Sequence, residues 1–138
     1  MRSRPWRAER TPHPTPHGAR PSRLPPLIAS TDIRTMQIIR SKAFTADRAW
    51  GALDIANLDG ITVRLHWTDQ PYRWHVNDGD EVFAVLDGRV EMRHREAGVE
   101  RTAILEAGDV FHASAGTEHV AHPLGEARIL VIEKEGSV

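Results

Sequence analysis

The chain has 138 residues, a formal net charge of −1 and no cysteine. That length serves one packed domain rather than two, and the missing thiols exclude disulfides, thiolate metal sites and cysteine nucleophiles. The charge balance argues against a whole-chain nucleic-acid or membrane role. No run approaches the ~18 apolar residues of a membrane span, and the N-terminus lacks the apolar stretch of a secretory signal, so the expected location is cytoplasmic.

The average hides two zones. Residues 1–35 carry seven arginines against Glu9 and Asp32, a net of +5. Residues 36–138 carry 11 Lys and Arg against 17 Asp and Glu, a net of −6. Seven of the nine prolines also fall before residue 27. Thr11-Pro-His-Pro-Thr-Pro-His17 suits neither a helix nor a central strand, and it has little apolar surface to offset ordering entropy. Residues 1–35 therefore read as a disordered Pro/Arg-rich extension, with the folded domain at 36–138. His13 and His17 are set aside as ligands on the same ground.

From Met36 onward the pattern becomes short strands divided by turn signals. Only Thr45–Gly51 has room for a helical turn. Ala52–Leu58 leads through Asp59-Gly60, a favoured hairpin turn, into Ile61–Thr68. There Ile61, Val63, Leu65 and Trp67 share one face, while Thr62, Arg64, His66 and Thr68 share the other. Tyr72–Asn77 is a further extended segment. Glu81–Leu86 runs into Asp87-Gly88, a second hairpin signal, and returns along Arg89–Arg95. Val99–Leu105, Val110–Ala113, Glu118–Ala121 and Ala127–Glu133 complete an all-β sandwich or barrel.

The chemistry gathers on three of these segments. His75 and Asn77 lie two apart on one strand face, because strand side chains alternate. Glu81 opens the next strand, and Gly116-Thr-Glu-His119 delivers another imidazole. Two imidazoles and a carboxylate from separate strands make a 2-His-1-carboxylate set, which leaves positions open for water or substrate. Such a set suits a divalent ion: Fe(II), Mn(II), Ni(II) or Zn(II).

These residues also carry a family resemblance. His75-x-Asn77-x3-Glu81-x6-Gly88 resembles the first cupin motif, His-x-His-x3–4-Glu-x6-Gly. Gly108-x5-Ser114-x-Gly116-x2-His119 resembles the second, Gly-x5-Pro-x-Gly-x2-His-x3-Asn. The strand pattern extends the match over roughly residues 50–135, and the nearest likeness is to small single-domain cupins that resemble one domain of mannose-6-phosphate isomerase. The resemblance implies a double-stranded β-helix, the jelly-roll or cupin β-barrel, with metal ligands at His75, Glu81 and His119. Asn77 stands where the family's second histidine sits, as a weak fourth ligand. Asp69, Ser114 and Pro123 replace the leading glycine, the proline and the terminal asparagine.

Other candidates are weighed one by one. Arg73, two residues before His75, is the candidate substrate-binding group, able to receive a carboxylate or phosphate bidentately; pairing with Asp78 or Asp80 is the competing reading. His112 reads as an interior imidazole, His122 as surface, and His66 with Arg64 as a solvent or subunit face. His94 ends a solvated edge strand. Trp67, Trp74, Tyr72 and Phe83 read as core or interface, with Phe83 and Val85 below the metal. Ile129-Leu-Val-Ile132 is apolar on both faces, which predicts a homodimer in which part of Ala52–Leu58, or the strand Gln37–Phe44 of a second copy, covers one face, unless the chain's own N-terminal strand covers it instead. The function expected is that of a metal-binding small-molecule cupin, an isomerase or dioxygenase acting on a sugar-like or oxygenated carboxylate substrate. A non-catalytic ligand-binding cupin is the alternative, and neither nucleic acid nor membrane is an expected partner.

Overall fold

The structure, a computed structural model, describes residues 36–137; the expectations for residues 1–35 lie outside them. Nine strands follow a short 3-10 turn at Ser41–Ala43: β1 (Gly51–Leu58), β2 (Ile61–Thr68), β3 (His75–Val76), β4 (Glu81–Asp87), β5 (Arg89–Glu96), β6 (Val99–Glu106), β7 (Val110–Ala113), β8 (Glu118–Pro123) and β9 (Ala127–Lys134). They form a five-stranded sheet in the order β1-β2-β9-β4-β7 and a four-stranded sheet in the order β3-β8-β5-β6. Every pairing is antiparallel. This is the jelly-roll barrel that the motifs imply.

Local chemistry explains the turns. Asp59 and Gly60 both take positive φ, 53° and 92°, as a two-residue type I′ turn demands, and Asn57 accepts the Gly60 N–H at 2.7 Å. Ala97-Gly98 closes the β5–β6 hairpin in the same way, with φ of 49° and 79°. Asp87-Gly88, by contrast, does not make a hairpin. β4 pairs with β7 and β9, whereas β5 pairs with β6 and β8, so the chain crosses from one sheet to the other at Gly88. A Cβ there would lie 2.2 Å from the Glu126 carbonyl oxygen, and φ is 81°. Both demands select glycine.

Register assigns the faces, since directly paired residues point to the same side of a sheet. Phe83 and Val85 of β4 pair with Val131 and Ile129 of β9, and on β9's other edge Arg64 and His66 of β2 pair with the same two residues. These positions face the barrel interior, where Phe83, Val85, Val90, Met92, Leu105, Ala127, Ile129 and Val131 form the core. The polar face of β2 is thus the inner one, and its apolar face is the outer one. Leu65 and Trp67 on that outer face are nonetheless buried, 1% and 8% exposed.

Residues 37–44 form no strand. They lead instead to Arg128, whose Nε donates to the Phe44 carbonyl at 2.7 Å while its terminal nitrogens bind Asp87 and Thr45. The chain's own segment therefore meets this face of β9 without adding a strand. Leu130 and Ile132 remain half-buried on it. Residues 45–50 hold bends and turns rather than a helical turn, and Trp50 takes φ of 60°.

Candidate metal centre

The barrel interior brings three donors together. β3 pairs with β8 so that His75 and His119 are direct partners, and their ring centroids lie 4.3 Å apart. Glu81, at the start of β4, enters from the opposite sheet, with its Oε1 3.4 Å from His119 Nε2. One donor atom from each of the three residues lies within 4.8 Å of the others.

Backbone contacts orient both imidazoles. His75 Nδ1–H donates to the Arg73 carbonyl at 2.9 Å, and His119 Nδ1–H to the Thr117 carbonyl at 3.4 Å. A carbonyl only accepts, so each ring carries its proton on Nδ1 and keeps the Nε2 lone pair for the cavity. Burial holds the His75 pKa below its ordinary value, and the neighbouring His119 adds to the effect.

Glu81 and His119 are almost fully buried, 5% and 1% exposed. Burial alone would raise the Glu81 pKa, yet the facing His119 ring and a hydrogen bond from Glu133 outweigh it and hold the carboxyl below its usual range. Glu133, the register partner of Glu81 across β9, carries the opposite shift. Burial, then the hydrogen bond and charge of Glu81, push it up to about 7. Glu133 is thus the protonated member of the pair and Glu81 the ionised one.

This donor set fits a first-row divalent ion. Metal–ligand bonds of about 2.0–2.2 Å meeting near 90–110° place donors roughly 3–3.5 Å apart, and the Glu81–His119 spacing falls in that range. Two neutral imidazoles and one carboxylate leave coordination positions unfilled.

The other site expectations fare differently. Asn77 is buried, but its Nδ2 points to the Ala113 carbonyl at 3.5 Å and its side chain is absent from the cavity lining. Arg73 is exposed and lies outside the lining as well, its guanidinium 5.6 Å from the Tyr72 ring centroid. The strand beginning at His75 is too short to carry alternation back to residue 73. His112 faces outward and pairs with Asp80 at 3.1 Å, not with the interior. His94 is mostly buried rather than solvated, its ring 5.6 Å from Phe111. Trp74 is covered by the Arg95 guanidinium at 4.0 Å.

The cavity above the triad has a volume of about 280 Å³. Its cationic groups are Arg48 and Arg64, with His66 beside them, and Trp50, Tyr72 and Phe83 supply aromatic walls. Neither Glu133 nor the Arg64–His66 pair was expected here. Glu133 had a legible signal, because it continues the Ile129, Val131 face at period two.

Comparison with known proteins agrees with this geometry. Residues 62–133, just over half the chain, match the cupin domain family. The chain belongs to the cupins. Among solved structures it is similar to a cupin-2 domain protein from Shewanella frigidimarina, with 26% identity and a TM-score of 0.58 over 65% of this chain and 85% of that one. The hydroquinone 1,2-dioxygenase of Sphingomonas shares the fold at 20% identity and a TM-score of 0.58, over 64% of this chain and 28% of that one. A curated relative is 3-hydroxyanthranilate 3,4-dioxygenase of Bos taurus, 33% identical over 61 residues. That segment is 44% of this cupin but spans only 21% of the bovine protein.

Proposed function

We propose that this cupin is a metal-dependent enzyme acting on a small oxygenated carboxylate, with a dioxygenase reaction favoured over an isomerase reaction. The observation that carries the reading is the convergence of His75, Glu81 and His119 on one point at the floor of a cavity with unfilled coordination positions. The local likeness to a dioxygenase that acts on a hydroxylated aromatic acid favours oxygen chemistry. A bound ion would supply a Lewis acid and, as iron, a centre for O₂. The protein's part is to aim the Nε2 lone pairs of both imidazoles into the cavity, to present Glu81 ionised, and to hold the substrate among polar groups and aromatic walls.

The test is oxygen uptake and product formation by protein loaded with Fe(II), Mn(II) or Zn(II), across hydroxylated aromatic acids and sugar phosphates. Uptake with an aromatic acid supports the dioxygenase. Turnover of a sugar phosphate without oxygen uptake moves the reading to an isomerase. Asn77 favours a second reading, a non-catalytic ligand-binding cupin, because its amide replaces a strong donor with one engaged elsewhere. Ligand-induced thermal shifts with no turnover of any compound would establish it.

Self-association belongs to the same proposal. Leu130 and Ile132 on the outer face of β9, near the exposed Leu53 of β1, form an apolar strip suited to a second copy. Sedimentation at tens of micromolar should show a dimer, and a monomer there removes this part.

A further inference from the structure

The inner face of β2 carries two polar side chains in the cavity, and the metal set uses neither. His66 Nδ1–H donates to the Trp50 carbonyl at 3.1 Å, so its Nε2 holds a free lone pair. Its ring nitrogens are not among the donors clustered within 4.8 Å. Arg64 donates Nε–H to Asp54 Oδ1 at 2.7 Å, which fixes the guanidinium by one edge and leaves its terminal N–H groups for other partners. Both side chains line the same cavity as the triad. Between them they offer one cation with bidentate geometry and one neutral acceptor, two residues apart on a rigid strand.

From this pairing we propose that Arg64 and His66 form the recognition subsite for a small carboxylate that also bears a hydroxyl group. Arg64 receives the carboxylate, and His66 Nε2 accepts the hydroxyl hydrogen. The proposal rests on the reading of the cavity as a substrate site and names the class of substrate that fits it. Once a ligand takes the half-buried His66 out of water, an acceptor left without a donor is costly, so His66 disfavours a carboxylate lacking the hydroxyl. Burial keeps the His66 pKa below its ordinary value, consistent with a neutral acceptor, although nearby Arg64, Glu81 and Asp54 also act on it. Trp50 stiffens the arrangement: its indole donates to the Gln70 carbonyl at 2.9 Å while its own carbonyl holds His66. The cavity volume, about 280 Å³, lies at the small end for ligand sites and suits one substituted ring or short acid.

Calorimetric titration of the full chain with 2-hydroxybenzoate, benzoate and phenol tests the assignment, with metal content measured on the same samples. The wild type should bind 2-hydroxybenzoate about tenfold more tightly than either single-group probe. His66→Asn retains a donor for the Trp50 carbonyl but loses the distal acceptor. It should bring 2-hydroxybenzoate down to the benzoate affinity while leaving benzoate unchanged, and His66→Gln, which reaches further, should recover part of the preference. Arg64→Met should bring 2-hydroxybenzoate down to the phenol affinity. A wild type without the preference, or one whose preference survives both His66→Asn and Arg64→Met, overturns the subsite. Metal-free wild type with the preference intact would instead count against the metal-dependent reading alone.

Discussion

β2 and β4 flank the same central strand, β9, and turn their inner faces to the same interior, yet they fill it differently. From β4 come Glu81, Phe83 and Val85, a carboxylate followed by core hydrophobics. From β2 come Thr62, Arg64, His66 and Thr68, all polar. The apolar side of β2 faces out, and Leu65 is buried there as completely as Val85 is inside. In a barrel with a ligand chamber, polarity does not separate inside from outside. Pairing register does, because each residue's partner fixes its face.

The largest effects should come from the donors that β3, β4 and β8 contribute, and from nothing on β2. His119→Ala should abolish metal occupancy by elemental analysis, and chelation of the wild type should lower Tm, with Mn(II), Fe(II), Ni(II) or Zn(II) restoring it. His66→Asn should leave metal content at the wild-type level. Asn77→Ala should cost far less affinity than His75→Ala, because the Asn77 amide is turned toward Ala113. Loss of metal from the His66 variant would erase the distinction between the two strands.

The outer face of β2 comes next. Leu65→Ala should destabilise by about 2–5 kcal/mol in urea titrations, the range for truncating a buried leucine. A loss under about 0.5 kcal/mol, as at ordinary surface sites, would mean that this face is not packed. Gly88→Ala, where β4 turns into the other sheet, should cost at least about 1–3 kcal/mol through its left-handed backbone alone, plus the clash with Glu126. Gly60→Ala, at a turn with open space around the missing Cβ, should cost less.

A smaller effect concerns the proton that Glu133 holds beside Glu81. The folded-state pKa of Glu133 is raised from 4.5 to about 7, so the folded protein keeps a proton that the unfolded chain has released. Its contribution to stability is full below about 4.5 and is lost as pH rises toward 7. In chelator-treated protein, Tm of the wild type relative to Glu133→Gln should therefore fall across that window. Comparison at matched pH cancels the opposite slope from His66 and His75, whose lowered pKa values favour the folded state as pH rises toward 6.5. A difference constant with pH would show that Glu133 titrates normally. The smallest effect is expected from removing residues 1–35, which should leave Tm unchanged. A drop would mean that the segment contributes to the fold.

Much of this was legible in the sequence, and the limits have physical causes. Alternation and Gly-containing turns locate the strands within a residue or two, except for Gln37–Phe44, which forms no strand, and Tyr72–Asn77, where only His75 and Val76 pair as one. The triad was legible because two cupin-like motifs carry its residues, although the pairing that sets His119 beside His75 lies beyond local geometry. Sheet membership was not. Asp-Gly reports a left-handed turn, and such a turn serves a hairpin at Asp59-Gly60 and a sheet-to-sheet corner at Asp87-Gly88 equally well. Arg64 and His66 were misplaced for a related reason: amphipathic alternation identifies two faces but not the one that meets the cavity. Arg73 lies ahead of the two-residue strand, where alternation does not hold, and Asn77 is buried as alternation predicts but turns its amide toward Ala113.

The position of β9 has a consequence for how the molecule is made. It is the last strand in sequence and the middle strand of its sheet, hydrogen-bonded to β2 on one side and β4 on the other. During synthesis, β1–β2 and β5–β6 can close as hairpins as soon as they emerge. β2 and β4, however, keep one edge unpaired until the final strand arrives. An unpaired strand edge invites another chain, and the contacts that end this exposure are among the most distant in sequence, which slows their formation. The bond from Arg128 to Phe44 spans 84 residues, so the first described segment docks only when the last is in place. Aggregation during expression should therefore depend on how quickly β9 is released and inserted, and lowering the temperature of synthesis should help by slowing the supply of open barrels.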